Sequence, residues 1–209
     1  MLLCSECMDL MEEINSEERC YYCFSTEITS ERKVCPSCIQ SPPVWSRMAS
    51  ALDYDGPAVS LITAMKYGNQ PYIAKGAAAL MASQFTKLDW PFPDIIIPVP
   101  IPFTRWMQRG YNQSWYLARY FGKLIDRPVY NVLRRRSGDY SQAGLSSEQR
   151  KELASDSFLL AKKGVLEDKT LLLIDDVMTT GTTLKCCAEV LLEGFPNNIY
   201  VMTACRSVF

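Results

Sequence analysis

The sequence predicts an α/β protein: a parallel sheet with helices on both faces, preceded by a small cysteine-rich segment. Three observations carry the prediction. Apolar runs such as "DIIIPVP" (94–100) and "KTLLLID" (169–175) lack polar alternation, as strands buried on both faces do. Each is followed by a stretch of helical character, the arrangement that yields parallel pairing. Six of the nine cysteines fall in the first 38 residues as three identical C-x2-C pairs.

In order along the chain, Cys4–Cys7, Cys20–Cys23 and Cys35–Cys38 come first. Two thiolates separated by two residues can face one tetrahedral ion. Cys20, Cys23, Cys35 and Cys38 give C-x2-C-x11-C-x2-C, a spacing that fits a structural Zn2+ site with no open coordination position. Cys4 and Cys7 lack a second pair. They are half of an incomplete site, share the ligand set of the others, or are free. The segment 1–42 is therefore expected as a zinc-ribbon unit and 43–209 as the α/β domain, with "QSPPVW" (40–45) as linker. Cys186, Cys187 and Cys205 lie in apolar surroundings and read as small core residues.

Ala49–Tyr54 is the first strand candidate. Pro57 suits the first turn of a helix running to Lys66 and ended by Gly68. Pro71 opens a second helix through "GAAALMASQF". The strand 94–100 ends in prolines, and a helix covers "NQSWYLARYFGKLI" (112–125). "PVYNVLRR" (128–135) reads as a further strand, and residues 134–150 as a mobile lid or a solvated hairpin. Lys169–Asp175 is the most apolar strand, Thr182–Glu193 the clearest helix, and "NIYVMTACR" (198–206) the closing strand.

In parallel sheets, ligands bind at the carboxyl ends of strands, where loops lead into helix N-termini. The stretch "LLLIDDVMTTGTTL" (171–184) is such a strand–loop–helix. Free amides and the helix dipole suit a phosphate. Gly181 permits close approach, and Thr179, Thr180, Thr182 and Thr183 add hydroxyl donors. Two carboxylates do not bind phosphate, but they accept hydrogen bonds from a diol. The implied ligand is a phosphorylated sugar, its hydroxyls on Asp175 and Asp176. A Walker A loop is absent. Lys66 with Tyr67 suits an anion, or merely the end of its helix. Arg105 and Arg109, expected on the loop after the strand, can point at one anion. Asn112 and Gln113 suit a helix cap or a base edge.

The stretch 171–184 resembles the phosphoribosyl pyrophosphate (PRPP) signature of type I phosphoribosyltransferases. "LITAMKYGN" (61–69), "PVPIPFTRWMQRGYNQSWYLAR" (98–119) and "RRRSGDYSQAGLSSEQRKELASDSF" (134–158) resemble segments of the ComF/GntX group of competence-type proteins, which also carry N-terminal C-x2-C pairs. The resemblance implies a type I phosphoribosyltransferase-like sheet plus a zinc ribbon. It implies PRPP and Mg2+ as ligands, Asp175, Asp176 and Lys66 as catalytic groups, and Arg135 and Gln142 as further substrate contacts. It also implies the alternative of a module in DNA uptake that binds single-stranded DNA beside a competence helicase, with Arg134–Arg136, Trp106, Tyr111, Trp115 and Tyr140 as a basic, aromatic groove. Pro102 stands where the group often has histidine, Leu153 where it often has asparagine, and members often have four C-x2-C pairs. The chain has no histidine, so a base acting on an acceptor would be a carboxylate or backbone group.

Net charge is −1, so nucleic-acid binding would need a local patch. No apolar run approaches the roughly 20 residues of a membrane helix. "MLLCSECMDLMEE" has neither a basic start nor a long apolar core, so a cytoplasmic location is expected.

Overall fold

The computed structural model describes residues 11, 14–29, 32–136 and 158–207. Its centre is a four-stranded parallel sheet built from β1 (Arg47–Asp53), β2 (Ile95–Pro98), β5 (Thr170–Met178) and β6 (Asn198–Arg206), in the order β1-β6-β5-β2. Two further short strands, β3 (Leu133–Arg135) and β4 (Phe158–Leu160), form a separate antiparallel pair. The expected strand over 128–135 is thus divided. Residues 128–130 only bridge Ile96 at the sheet edge, where Ile96 N donates to Pro128 O and Tyr130 N to Ile96 O. Residues 133–135 turn away to pair with β4.

Both faces of the sheet are covered, as the unbroken apolar runs require. Leu171 and Leu173 of β5 belong to one buried cluster, Leu172 and Ile174 to the other. On the first face lies α6 (Thr182–Leu192), with Leu184, Cys187, Ala188 and Leu191 buried. On the second lie α2 (Gly56–Tyr67), α3 (Ala74–Thr86) and α5 (Gln113–Leu124). Pro57 sits in the first turn of α2, and Gly68 is its C-cap. Asn112 caps α5 by accepting from Ser114 N at 3.0 Å. α4 (Phe103–Arg109) was not expected: the segment after β2 forms two turns of helix and ends at Gly110, which is left-handed at φ 77°. Arg105 and Arg109 therefore lie on a helix, not on a loop.

The cysteine-rich segment, with α1 (Pro36–Gln40), packs against the sheet domain. Ile14, Phe24 and Trp45 enter the cluster beneath α6. Arg19 pairs with Asp53 at the end of β1, Nη1–Oδ1 3.1 Å and Nη2–Oδ2 2.6 Å. Among the described residues, no helix is long and apolar enough to cross a membrane.

Gly122 marks the closest approach of α5 to the sheet edge. An added Cβ would meet Arg127 O at 2.7 Å, Val129 Cγ2 at 2.9 Å and Ile96 Cδ1 at 3.3 Å. Backbone cannot yield as a flexible side chain does. Gly122→Ala should cost about 1–3 kcal/mol, read as a lower denaturant midpoint at unchanged slope.

Candidate functional site

The candidate site forms where β5 ends and α6 begins. Gly181, at φ 78°, is the residue before the first turn of α6, and the left-handed backbone there favours glycine. The Thr180 and Thr182 hydroxyls lie 3.1 Å apart, and both residues are exposed with Thr179 and Thr183 at the loop and helix mouth. The amides of the first turn have no intrahelical acceptors, so they remain available to an anion.

Asp175 and Asp176 occupy consecutive strand positions, so their side chains leave β5 on opposite faces. Their partners differ accordingly. Asp175 Oδ1 accepts from Ser114 Oγ at 2.7 Å and from Asp176 N at 2.9 Å. Asp176 is 5% exposed; its Oδ1 lies 3.1 Å from Lys66 Nζ, and its Oδ2 is buried without a hydrogen-bond partner among the described residues. The two acids expected to accept from a diol thus have different partners in the protein itself. Burial, reinforced by the neighbouring Asp176 charge, pushes the Asp175 carboxyl up to about 7, against the pull of the Ser114 hydrogen bond.

Lys66, at the end of α2, is thus tied to Asp176. Tyr67 beside it is 71% exposed and lies under Arg109, whose guanidinium carbon is 4.8 Å from the ring centroid and whose Nη2 donates to the phenol oxygen at 3.3 Å. Arg109 Nη1 is buried and unpartnered. Arg105 belongs elsewhere: its charge, after burial, is a cause that lowers the pKa of Arg135. Arg135 lies on β3 with its guanidinium carbon 5.0 Å from the Phe158 ring centroid. Asn112 is engaged as a cap, and its Nδ2 donates to Val99 O at 2.9 Å. Gln113 is buried with Oε1 unpartnered. Tyr111 is buried and donates its hydroxyl to Met65 O, so it is no exposed stacking platform. Gln142, Tyr140, Cys4 and Cys7 lie outside the described residues. Ser114 was missed by the sequence reading; its only signal is a hydroxyl in the first turn of the helix that faces the strand end.

At the other end of the site, Cys20, Cys23, Cys35 and Cys38 bring their Sγ atoms within 4.8 Å of one another. Tetrahedral Zn2+ with bonds of about 2.3 Å sets sulfurs about 3.8 Å apart, so the four can hold such an ion with small shifts. Cys35 N donates to Cys20 Sγ at 3.3 Å. A hydrogen bond from the Cys23 thiol lowers Cys20 to about 4, and the same contact raises Cys23; burial lifts Cys38 to about 12. The four sulfurs could hold a cation such as Zn2+, whose binding takes them as thiolates. A cavity of about 820 Å³ lies between this cluster and the threonine loop, with Thr26, Glu27, Pro43, Thr180, Thr182 and Lys185 in its walls. It lies apart from Asp175 and Asp176, which do not line it.

The fold and site define a class: a parallel α/β protein with hydroxyls, acids and a helix mouth at the carboxyl end of its central strand, joined to a four-cysteine cluster. No family model matches the chain. Its sequence is nevertheless 32% identical to Competence protein F of Haemophilus influenzae over 213 residues, which cover 98% of this chain and 90% of that protein. It is 29% identical to DNA utilization protein YhgH of Escherichia coli K12 (83% and 78% covered) and 26% identical to Competence protein ComFC of Bacillus subtilis (91% and 85% covered). The chain belongs to the ComF family of competence-type proteins. Among solved structures, it is similar to a glutamine PRPP amidotransferase from B. subtilis, with 17% identity, 63% of this chain and 26% of that chain covered, and a TM-score of 0.46. It is also similar to a purine phosphoribosyltransferase from Pyrococcus horikoshii, with 17% identity, 63% and 81% covered, and a TM-score of 0.39. At these values the structural likeness carries no weight of its own.

Two predictions arise from this geometry. A carboxyl raised to about 7 binds its proton more tightly folded than unfolded, where the usual value is about 3.9. Its stabilising share is complete below about pH 4 and is lost as pH rises toward 7. The melting temperature of the parent minus that of Asp175→Asn should fall across that window; parallel curves would refute the assignment. Cys38→Ser should lose one bound zinc per chain by elemental analysis and about 10 °C of melting temperature, the effect of roughly 3 kcal/mol in a chain of this size.

Proposed function

We propose that the protein binds PRPP at the β5–α6 loop and transfers its phosphoribosyl group to a nitrogen acceptor. The observation that carries this reading is the unpartnered Asp176 Oδ2, buried beside Lys66 at the strand end that leads into the threonine loop. A buried oxygen with no donor is costly, and a ligand hydroxyl would satisfy it. Arg109 Nη1 and Gln113 Oε1 are likewise buried and unpartnered, the pattern expected of groups kept for a polar ligand.

In this reading the 5′-phosphate rests on the α6 amides and on the hydroxyls of Thr179, Thr180, Thr182 and Thr183. Asp176 Oδ2 accepts from a ribose hydroxyl, and Asp175 holds the adjoining Ser114 and strand end in place. Lys66 and Arg109 attract the pyrophosphate. As the bond from C1 to pyrophosphate breaks, C1 becomes cation-like and the leaving oxygens gain charge that Lys66 and Arg109 stabilise. The acceptor nitrogen then bonds to C1 and gives up its proton to water or to the departing pyrophosphate. Arg135, on β3, and Gln142 are assigned to substrate binding as the family resemblance implies, and Tyr67 to the rim. With Asp176 Oδ2 given to the ribose hydroxyl, Mg2+ would be held mainly by the donor's own phosphate oxygens. Bound Mg2+ would neutralise charge on the departing pyrophosphate. The four-cysteine cluster takes Zn2+ as a structural ion, closing segment 1–42 as a unit distinct from 43–209.

PRPP should raise the melting temperature progressively with concentration in the presence of Mg2+. With a panel of bases, pyrophosphate should appear, and Asp176→Asn should reduce its release at least about 100-fold, the scale of losing a charged contact made in the transition state. Absence of both stabilisation and release refutes the reading.

A second reading is favoured by one patch. Phe103 and Trp106 on α4 are 66% and 46% exposed and stack at 5.9 Å with 18° between their rings, beside Arg105. Such a platform suits single-stranded DNA, the partner that the competence names of the relatives suggest, with the cysteine segment as the docking surface for a helicase. Affinity for a labelled oligothymidine should drop about tenfold in Trp106→Ala and fall steeply with salt. Undetectable or salt-independent binding counts against it.

A further inference from the structure

The first cysteine knuckle is held by three backbone carbonyls. Tyr21 O accepts from Met48 N at 2.9 Å, Tyr22 O from Trp45 Nε1 at 2.7 Å, and Cys23 O from Arg206 Nε at 2.8 Å. Two of these three donors also meet the threonine loop. Arg206 Nη1 donates to Met178 O at 3.2 Å, to Thr179 O at 2.9 Å and to Ser207 O. Trp45 Cη2 lies 3.9 Å from where a Cβ on Gly181 would be. Arg206 is only 9% exposed and Trp45 5%, so neither contact is a loose surface encounter.

The direction of these bonds matters. In a trans peptide the carbonyl and the following N–H point opposite ways. A guanidinium that holds the Met178 and Thr179 carbonyls therefore turns the Thr179 and Thr180 amides away from itself. Met178 O also accepts from Ser207 N at 2.9 Å, so the peptide that depends on Arg206 is Thr179–Thr180; freed, it could rotate and present its oxygen to an anion, which would repel it. The same guanidinium is anchored through Cys23, one of the four thiols that can hold a metal.

We propose that Arg206 and Trp45 are positioning residues that link metal in the four-cysteine cluster to phosphate binding on the β5–α6 loop. Metal fixes the knuckle, the knuckle orients the guanidinium and the indole, and these hold Met178–Gly181 with amides outward. Linkage between two sites is reciprocal, so ligand on the loop must also tighten metal binding in the cluster. The linkage rests on the PRPP binding proposed above.

The test uses the full chain, loaded with Co2+ so that its ligand-field spectrum reports the thiolate cluster directly. A chelator is titrated with and without saturating PRPP and Mg2+, and PRPP binding is measured separately by calorimetry. In the parent, PRPP should raise the chelator concentration needed for half-removal about tenfold, a common scale of coupling between sites. In Arg206→Gln that ratio should fall to about one while the spectrum of the loaded protein is unchanged. Arg206→Lys, which retains charge but not the fork, should not restore it. Should Arg206→Gln fail to fold, Trp45→Phe provides the same comparison, and the parent titration tests the linkage without any substitution. PRPP binding with no change in chelator resistance, or a ratio unchanged in Arg206→Gln, overturns the linkage alone. No PRPP binding to the metal-loaded parent overturns the functional reading and the linkage with it.

Discussion

β5 is the constraint on which the rest of the structure depends. It is paired on both sides, by β2 and by β6, and its middle is buried on both faces. A strand so enclosed cannot slide or rotate without exposing a row of leucines, so its last residues are delivered to a fixed place. That rigidity makes it possible to keep two carboxylates next to each other in a largely apolar setting. The alternation of the strand then separates them. One acid meets a serine from α5 and the other a lysine from α2. Each is accommodated by a different helix, and burial, with the repulsion between them added, raises the value of Asp175.

Around that strand end, polar groups are supplied from elements distant in sequence. Lys66 and Tyr67 come from the last turn of α2, Arg109 from the last turn of α4, and Gln113 and Ser114 from the first turn of α5. Helix ends are natural sources because their backbone groups already project toward the loop side of a parallel sheet. Several of these atoms remain unpaired in the protein itself. Unpaired buried polar atoms oppose folding, and that cost is the physical ground for the ligand proposed at this strand end.

The cysteine segment is bound into the body more deeply than a tethered appendage. Arg19 forms a two-pronged pair with Asp53, Phe24 enters the core, and the knuckle carbonyls are held by Met48, Trp45 and Arg206. A metal ion in such a segment stabilises local loops and at the same time shapes the wall that faces the threonine loop. The cavity between them is a consequence of that apposition, not an accident of either part alone.

How much of this was legible beforehand differs by element. β6 spans Asn198–Arg206, the run expected as the closing strand, because nine consecutive residues with little charge have one stable environment. α5 starts at the expected Asn112 cap, since capping is chemistry between neighbours. The four-thiol cluster was readable from spacing alone, because metal geometry constrains short loops directly. The split of 128–135 was not readable: local residues favour an extended chain but do not say which edge it joins. α4 was hidden by flanking prolines and by its exposed apolar side chains, which give no periodic signal. The sequence by itself determined the strand–loop–helix, its acids and hydroxyls, and the four cysteines, all features set by residues close together in the chain. Only the tertiary structure decided that Asp175 and Asp176 face different partners, that Arg105 and Arg109 share a helix, and that Arg206 joins the four-cysteine segment to the loop. Those relations depend on which side chains from remote segments share one small volume, and packing alone settles that.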